Sequence, residues 1–336
     1  MKRTAVIASA GFLLELALFG CASGLPPTPQ ASTSTPVAST TALAPGVSMK
    51  EANWYSEQVR VSGRLFLPAG FSTNAKSAAG VVLAPGWDKT AETLDGYAAE
   101  LAAQGIVALA IDYRGWGRSG AELYLGERVD AYDKMRFSEQ TPDLVFRRGR
   151  LDPEHQVQDI RNAITFLQSE PGVDRARVGV FGLDLGGGHV ISVMAMDARA
   201  KVGVAVTPDI PGQGEEEKSF IPNATAQAEM IKLARDGAPP RTEAAARARN
   251  AQEAGLALSE YKPFWRLDAV PATSSIRFIV AEADDALDNA VNARAAAREL
   301  KGPKDVQSIR GALHMLTPSQ TAEAAKLTAS WMKEKL

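Results

Sequence analysis

The feature that most restricts the fold is the apolar run Arg177-Val178-Gly179-Val180-Phe181, which passes directly into Gly182-Leu183-Asp184-Leu185-Gly186-Gly187-Gly188. The run reads as a strand, and residues 187–196 read as a helix. Joining the two within so few residues forces a sharp turn at Asp184. Glycines on either side keep other side chains out of the place where strand and helix pack together. A strand–turn–helix of this kind needs a sheet beside it and helices over that sheet.

The rest of the chain supplies both. Residues 59–67, 79–84, 106–111, 202–206 and 276–281 read as strands, and 79–84 (Ala-Gly-Val-Val-Leu-Ala) has the unbroken apolar character of a strand covered on both faces. Residues 93–104, closed by Gly105, and 154–169, 290–300 and 320–334 read as helices. Strands separated by helices predict an α/β fold with a mostly parallel, doubly wound sheet, whose ligands bind beyond the carboxyl ends of the strands. Residues 121–152 and 209–269 break the alternation, and their length points to helical lid insertions. The charged run Glu215-Glu216-Glu217-Lys218 reads as a solvated turn.

Composition narrows the partners. With 37 Lys plus Arg against 39 Asp plus Glu in 336 residues, no bulk charge draws a polyanion, so no nucleic acid is expected and a small-molecule substrate is. The single cysteine excludes an internal disulfide, and His155, His189 and His314 are too far apart for a local zinc motif. Neither metal nor cofactor is expected.

Residues 1–20 combine Met1-Lys2-Arg3 with an apolar stretch from Ala5 to Phe19, the pattern of an export signal, and too short to need reading as a permanent span. Leu18-Phe19-Gly20-Cys21 resembles a bacterial lipoprotein box, which implies that Cys21 becomes the lipidated first residue and anchors the chain to a membrane. Phe19 is bulkier than the residue usual there, and Glu15 interrupts the apolar run. Ala22 after the cysteine implies delivery to the outer membrane, facing the periplasm of the cell envelope. Residues 21–48 are rich in Ser, Thr, Ala and Pro and read as a tether, roughly 30 Å end to end as a flexible coil. Residues 49–336 form the folded domain.

The chemistry is expected at the turn. Beyond it, Phe278-Ile279-Val280-Ala281-Glu282-Ala283-Asp284-Asp285 is a strand ending in acids, and His314 follows just before the last helix. Nucleophile, acid and histidine in that order make a G-x-S-x-G elbow arrangement, here with Asp at its centre. The set resembles the α/β-hydrolase superfamily, and most closely its dienelactone-hydrolase-like and X-Pro-peptidase-like esterase branch. The resemblance spans most of residues 55–336 and includes Ala84-Pro85-Gly86-Trp87, Asp112-Tyr113-Arg114-Gly115-Trp116-Gly117-Arg118-Ser119 and His155-Gln156-Val157-Gln158-Asp159. It implies Asp184, Asp284 and His314 as catalytic residues. It also implies an oxyanion hole from the backbone N–H groups of Trp87 and Leu185. Asp285 and Asp288 read as solvated, and His155 and His189 as packing or surface residues.

Members of that branch carry Ser or Cys where this chain has Asp184. A carboxylate needs no base to become a nucleophile, and its attack on an ester carbonyl would give an uphill mixed anhydride. Displacement at saturated carbon suits it better. Haloalkane dehalogenases and epoxide hydrolases use G-x-D-x-G in this way, so an alkyl halide, epoxide or ester-like substrate is expected. The dehalogenase pattern has Trp after the Asp; here that place holds Leu185, with Trp87 as another indole source. Tyr124, Tyr132 and Tyr261 are the candidates for lid tyrosines of the epoxide-hydrolase kind. The alternatives are an esterase-like lipoprotein that has lost turnover and binds a ligand, and a structural envelope protein.

Overall fold

The computed structural model describes residues 43–75, 77–125, 144–213, 224–235, 240–289 and 292–336. They open on an antiparallel pair, β1 (Ser48–Ser56) and β2 (Val59–Leu67). The turn between them places Glu57 and Gln58 at positive φ (47° and 71°), the twist that suits a two-residue hairpin. The chain then runs through β3 (Ala78–Ala84), a 3-10 turn at Ala91–Leu94, α1 (Asp95–Ala103), β4 (Val107–Ile111), β5 (Glu122–Leu125), β6 (Leu144–Arg147) and α2 (Pro153–Ser169). Next come β7 (Val173–Leu183), α3 (Leu185–Met196), β8 (Ala200–Val206), α4 (Ala224–Arg235), α5 (Glu243–Glu260) and a 3-10 helix at Pro263–Ala269. The last elements are β9 (Ser275–Ala281), α6 (Ala293–Glu299), β10 (Lys304–Ile309) and α7 (Pro318–Lys335).

Eight strands form one sheet in the order β1-β2-β4-β3-β7-β8-β9-β10, antiparallel at the β1/β2/β4 edge and parallel from β4 onward. The parallel strands are apolar throughout because each is covered twice. Val82, Ala84, Leu109 and Val180 pack with residues of α2 and α3 on one face; Val81, Leu83, Phe181 and Val204 pack with those of α1 and α7 on the other. The sheet is the doubly wound, mostly parallel α/β architecture expected.

The Asp112–Ser119 turn after β4 is fixed by two buried carboxylates. Asp112 accepts from the N–H groups of Ala91 (2.7 Å) and Arg118 (2.8 Å), which ties the turn to the segment after β3. Asp159 on α2, fully buried, accepts from Arg114 through N–H (2.9 Å), Nε (3.0 Å) and Nη2 (2.7 Å).

Two strands of the eight-stranded sheet were not foreseen, and both are edges. β1 buries only Ala52, Trp54 and Ser56 along one face, and β10 (Lys-Asp-Val-Gln-Ser-Ile) buries only Ile309 fully, so neither carries the apolar run of a central strand. In the first insertion, expected to be helical, the described residues are two antiparallel strands, β5 and β6, and residues 126–143 between them lie outside the described residues. In the second, α4 buries no residue and α5 only Ala254, whereas Pro263–Ala269 packs on α3 with Leu267 buried and so belongs to the body of the domain. The export signal, Cys21, most of the tether, Tyr132 and Glu215–Lys218 lie outside the described residues. Among the described residues, no helix is long and apolar enough to cross a membrane.

Candidate active site

Four loops meet at the carboxyl end of the parallel sheet: those after β3, β7, β9 and β10. Asp184, between β7 and α3, has φ 53° and ψ −121°, a conformation that costs an ordinary residue on the order of 1–3 kcal/mol. It is held there by backbone bonds: Asp184 N–H donates to Val206 O (3.0 Å), and its carbonyl accepts from Gly187 (2.8 Å) and Asp209 (3.1 Å). The glycines are obligatory. A Cβ at Gly182 would lie 1.9 Å from Gly186 O, and one at Gly86 would lie 2.8 Å from Asp184 Oδ2.

The Asp184 carboxylate lies among donors. The Trp87 N–H reaches Oδ2 at 3.1 Å, the neighbouring Leu185 N–H also favours the charged carboxylate, and His314 Nε2 stands 3.3 Å from Oδ1. The other ring nitrogen of His314 is 3.2 Å from Asp284 Oδ2. Asp284 is fixed in turn by the N–H groups of Ala286 (3.0 Å) and Leu287 (2.9 Å) on Oδ1 and by Asn289 Nδ2 (3.1 Å) on Oδ2. Thus the structure brings Asp184, Asp284, His314, Trp87 and Leu185 together.

The histidine loop is laced to the acid loop. Asp285 Oδ1 accepts from His314 N–H (3.1 Å), Glu282 Oε2 from Gly311 N–H (2.8 Å) and Ala312 O from Ala283 N–H (2.9 Å). Asp285, read from sequence as merely solvated, is therefore one of the ties.

Electrostatics follow from this crowding. Burial works against the Asp184 carboxylate, but the His314 contact and the N–H groups of Trp87 and Leu185 outweigh it and hold the carboxyl below its usual range. Asp284 is likewise held low, burial being overcome by its backbone donors, His314 and Asn289. His314 is pushed up to about 9, chiefly by Asp184, with burial opposing and Asp284 assisting. At rest the imidazole is a cation between two carboxylates.

Four further residues near the site had not been singled out. Asn289 Nδ2 bridges Asp284 and Ala281 O (3.1 Å), and buried Asn292 clamps the segment after β8 through Pro208 O (2.8 Å) and Ile210 N–H (3.0 Å). Gln156, from the helix start already noted, bonds to His189. Asp209 follows β8, the strand next to the nucleophile's own; its signal was an acid just past a buried strand, hidden because 209–269 reads as an insertion. Burial and then neighbouring Asp184 push the Asp209 carboxyl up, with His314 and Lys262 opposing.

The remaining candidates separate clearly. His189 is fully buried between Tyr261 Oη (2.7 Å) and Gln156 Oε1 (3.0 Å), and burial lowers it to about 3, so it is a neutral packing residue. The same network corrects the lid-tyrosine expectation for Tyr261. Its hydroxyl is buried and also bonded to Ser192 Oγ (2.9 Å), with nothing left to offer a substrate. Tyr124's side chain lies outside what is described. His155 is partly exposed at the start of α2, beside Asp152 (3.0 Å). Trp87 is half exposed at the site's rim. Among the described residues, no group of three or more metal-ligating side chains occurs. A groove of about 840 Å³ between α4 and α5, lined in part by Glu229, Arg249 and Leu256, contains none of the Asp184 cluster.

Comparison with known proteins agrees with this architecture. A thiohydrolase, aneE of Aspergillus aculeatus, is 28% identical over 170 residues, which is 50% of this chain and 43% of that protein. The chain thus spans less than half the length of that relative. The solved structure of hypothetical protein PA2218 from Pseudomonas aeruginosa superposes with TM-score 0.64 at 18% identity, covering 88% of this chain and 96% of that one. A dienelactone hydrolase from Anabaena variabilis superposes with TM-score 0.50 at 16% identity, covering 85% of this chain and 97% of that one. Likeness at such identities speaks for the fold. The Alpha/beta hydrolase family description matches residues 81–327, which contain the elbow, the acid loop and the histidine, and the chain belongs to that family.

Proposed function

We propose that this protein is a hydrolase in which the Asp184 carboxylate attacks a saturated carbon of a small organic substrate. The observation that carries this reading is the Asp184 carboxylate itself: strained at the elbow, with one oxygen against the Trp87 N–H and the other facing a histidine backed by Asp284.

In the first step a carboxylate oxygen forms a bond to carbon as the leaving group departs with its electron pair, giving an ester on Asp184. No base is needed. Alkylation removes the negative charge that does most to keep His314 protonated, so the imidazole's pKa falls toward its ordinary 6.5 and it releases its proton. Neutral His314, oriented by Asp284, then takes a proton from water attacking the ester carbon. The N–H groups of Trp87 and Leu185 hold the tetrahedral oxyanion; as it collapses His314 hands its proton to the departing alkoxide, freeing the alcohol, and then takes the proton left on the Asp184 carboxyl, which restores the carboxylate and the charged ring. Charge on the nucleophile thus decides when the histidine becomes a base.

The relative's name, thiohydrolase, raises hydrolysis of a thioester as a reading for this chain. Such chemistry suits Asp184 poorly, because attack on a thioester would give a mixed anhydride. A second reading has one observation in its favour: at rest the carboxylate already accepts from the Trp87 donor and its ion pair occupies His314, as in a ligand-binding protein descended from an esterase.

Single turnover in heavy-oxygen water separates the two. The covalent reading expects label on the peptide containing Asp184 and a largely unlabelled first product; absence of label and adduct across halides, epoxides and aryl esters overturns it.

We also propose that the chain is exported and held by lipid on Cys21 at the outer membrane, facing the periplasm. The charged and apolar segments before Gly20-Cys21 support this. Cys21→Ser should release the protein from membranes, and unchanged fractionation would contradict the anchor.

A further inference from the structure

The Trp87 N–H that reaches Asp184 is carried by a loop with a glycine at its joint. Gly86 admits nothing larger, because a Cβ there would lie 2.8 Å from Asp184 Oδ2. A glycine, however, leaves its own backbone dihedrals almost unrestricted. A hydrogen bond needs its donor aimed, so other groups have to hold the loop.

Two successive residues of the turn after β4 grip residues 85–91 at both ends. Asp112 Oδ1 accepts from Ala91 N–H (2.7 Å), and the Tyr113 hydroxyl donates to Pro85 O (3.0 Å). Inside the loop, Lys89 N–H reaches Gly86 O at 3.3 Å. The peptide plane that ends in Pro85 O meets the plane that carries the Trp87 N–H at the Gly86 Cα. Fixing the first plane therefore limits how far the second can swing.

Tyr113 is itself fixed by a buried polar network for which the triad has no use. Its ring meets that of His189 at 79°, with centroids 5.8 Å apart. Gln156 Oε1 can only accept, so His189 Nε2 carries the hydrogen toward it (3.0 Å) and Nδ1 accepts from Tyr261 Oη (2.7 Å). Ser192 Oγ completes the set at 2.9 Å from Tyr261 Oη. All five side chains are buried. Burial pushes the Tyr113 hydroxyl well above the usual tyrosine value, so it keeps the proton it donates. Contacts thus run without a gap from α2 and α3 through His189 and Tyr113 to the loop of Trp87.

We propose that Tyr113 is a positioning residue for the oxyanion hole, its hydroxyl on Pro85 O setting the aim of the Trp87 N–H at Asp184. The consequence for turnover rests on Asp184 being a covalent nucleophile; the aim of the N–H does not. A tetrahedral oxyanion forms only when water attacks the ester, so a misaimed donor slows ester hydrolysis. Ester formation changes less, because the attacking carboxylate still has His314 and Leu185 beside it.

The test follows a single turnover with 2-phenylethyl bromide by rapid quench and mass spectrometry, the rise of the adduct giving ester formation and its decay giving hydrolysis. In Tyr113→Phe the decay should slow by about 10-fold or more, while the rise changes by less than about 3-fold. Loss of one neutral hydrogen bond leaves the fold standing, which melting curves check. A hydroxyl that served only the core would lower the fraction of protein that reacts and leave both rate constants alone. Tyr97→Phe, on α1 against Phe181 at the other face of the sheet, should behave in that way. Equal slowing of both steps, or none, in folded Tyr113→Phe overturns the role of Tyr113 and leaves the nucleophile standing. If the unmodified protein forms no adduct, the covalent reading falls, and deuterium exchange at the Trp87 amide, followed by NMR, decides the positioning claim. Exchange at least about 10-fold faster in Tyr113→Phe, with the amides of Val81, Val82 and Leu83 unchanged, supports it, and unchanged exchange at Trp87 overturns it.

Discussion

The backbone N–H of Trp87 donates to Asp184 Oδ2 at 3.1 Å, so the residue at the elbow's centre is seated on one of the donors that would stabilise charge developing on it. A serine hydroxyl in the same position would leave that donor open to a substrate carbonyl. One residue therefore changes which atom meets the Trp87 donor.

That relationship can be tested by reversing it. In Asp184→Ser, the Trp87 and Leu185 donors, His314 and Asp284 would again serve a hydroxyl. Hydrolysis of an aryl ester should rise at least ten-fold over the unmodified protein, measured by release of the phenol, while adduct formation with alkylating probes disappears.

Close approach at Gly86 should matter as much as the charged residues. In Gly86→Ala, the new Cβ would fall 2.8 Å from Asp184 Oδ2 and push the carboxylate off Trp87. Alkylation of Asp184 should slow by about 100-fold, read by mass spectrometry, with secondary structure unchanged by circular dichroism.

The ion pair at His314 links stability to pH. Because its folded-state value is raised from 6.5 to about 9, its contribution is complete below pH 6.5 and is lost as pH rises through about 9. Asp184 and Asp284, held low, contribute above pH 3.8 and lose that contribution as pH falls. Urea titrations should show a stability gap between the unmodified protein and His314→Gln that shrinks from pH 6.5 to pH 9, by on the order of 3 kcal/mol.

Arg114 is a structural counterpart to this site. Its guanidinium answers Asp159, which is fully buried, so Arg114→Met leaves a carboxylate without its charge partner. Destabilisation of about 3–5 kcal/mol is expected, visible as a lower denaturation midpoint, whereas Arg247→Met on the exposed face of α5 should change stability by less than about 0.5 kcal/mol.

The sequence by itself determined the sheet's centre and the turn around which the candidate residues gather. Strands such as 79–84 and 106–111 must be apolar on both faces to lie between two helical layers, so they are legible in any single chain. Gly182 and Gly186 are legible for a similar reason, since close contact leaves room for nothing larger. The edges were not: β1 and β10 carry polar faces to solvent and resemble loops, and the turn at Glu57-Gln58 lacks the glycine or asparagine that usually marks such a hairpin. Only tertiary structure decided the partners. Asn289, Asn292 and Asp209 are ordinary polar residues in the sequence, and they matter because the parallel strands deliver their loops to one end of the sheet. Tyr261 shows the reverse, a promising residue turned inward to His189 and Ser192. The charge on His314 belongs to neither kind of local signal: it depends on two carboxylates, one of them 130 residues away, brought within hydrogen-bond reach of one ring.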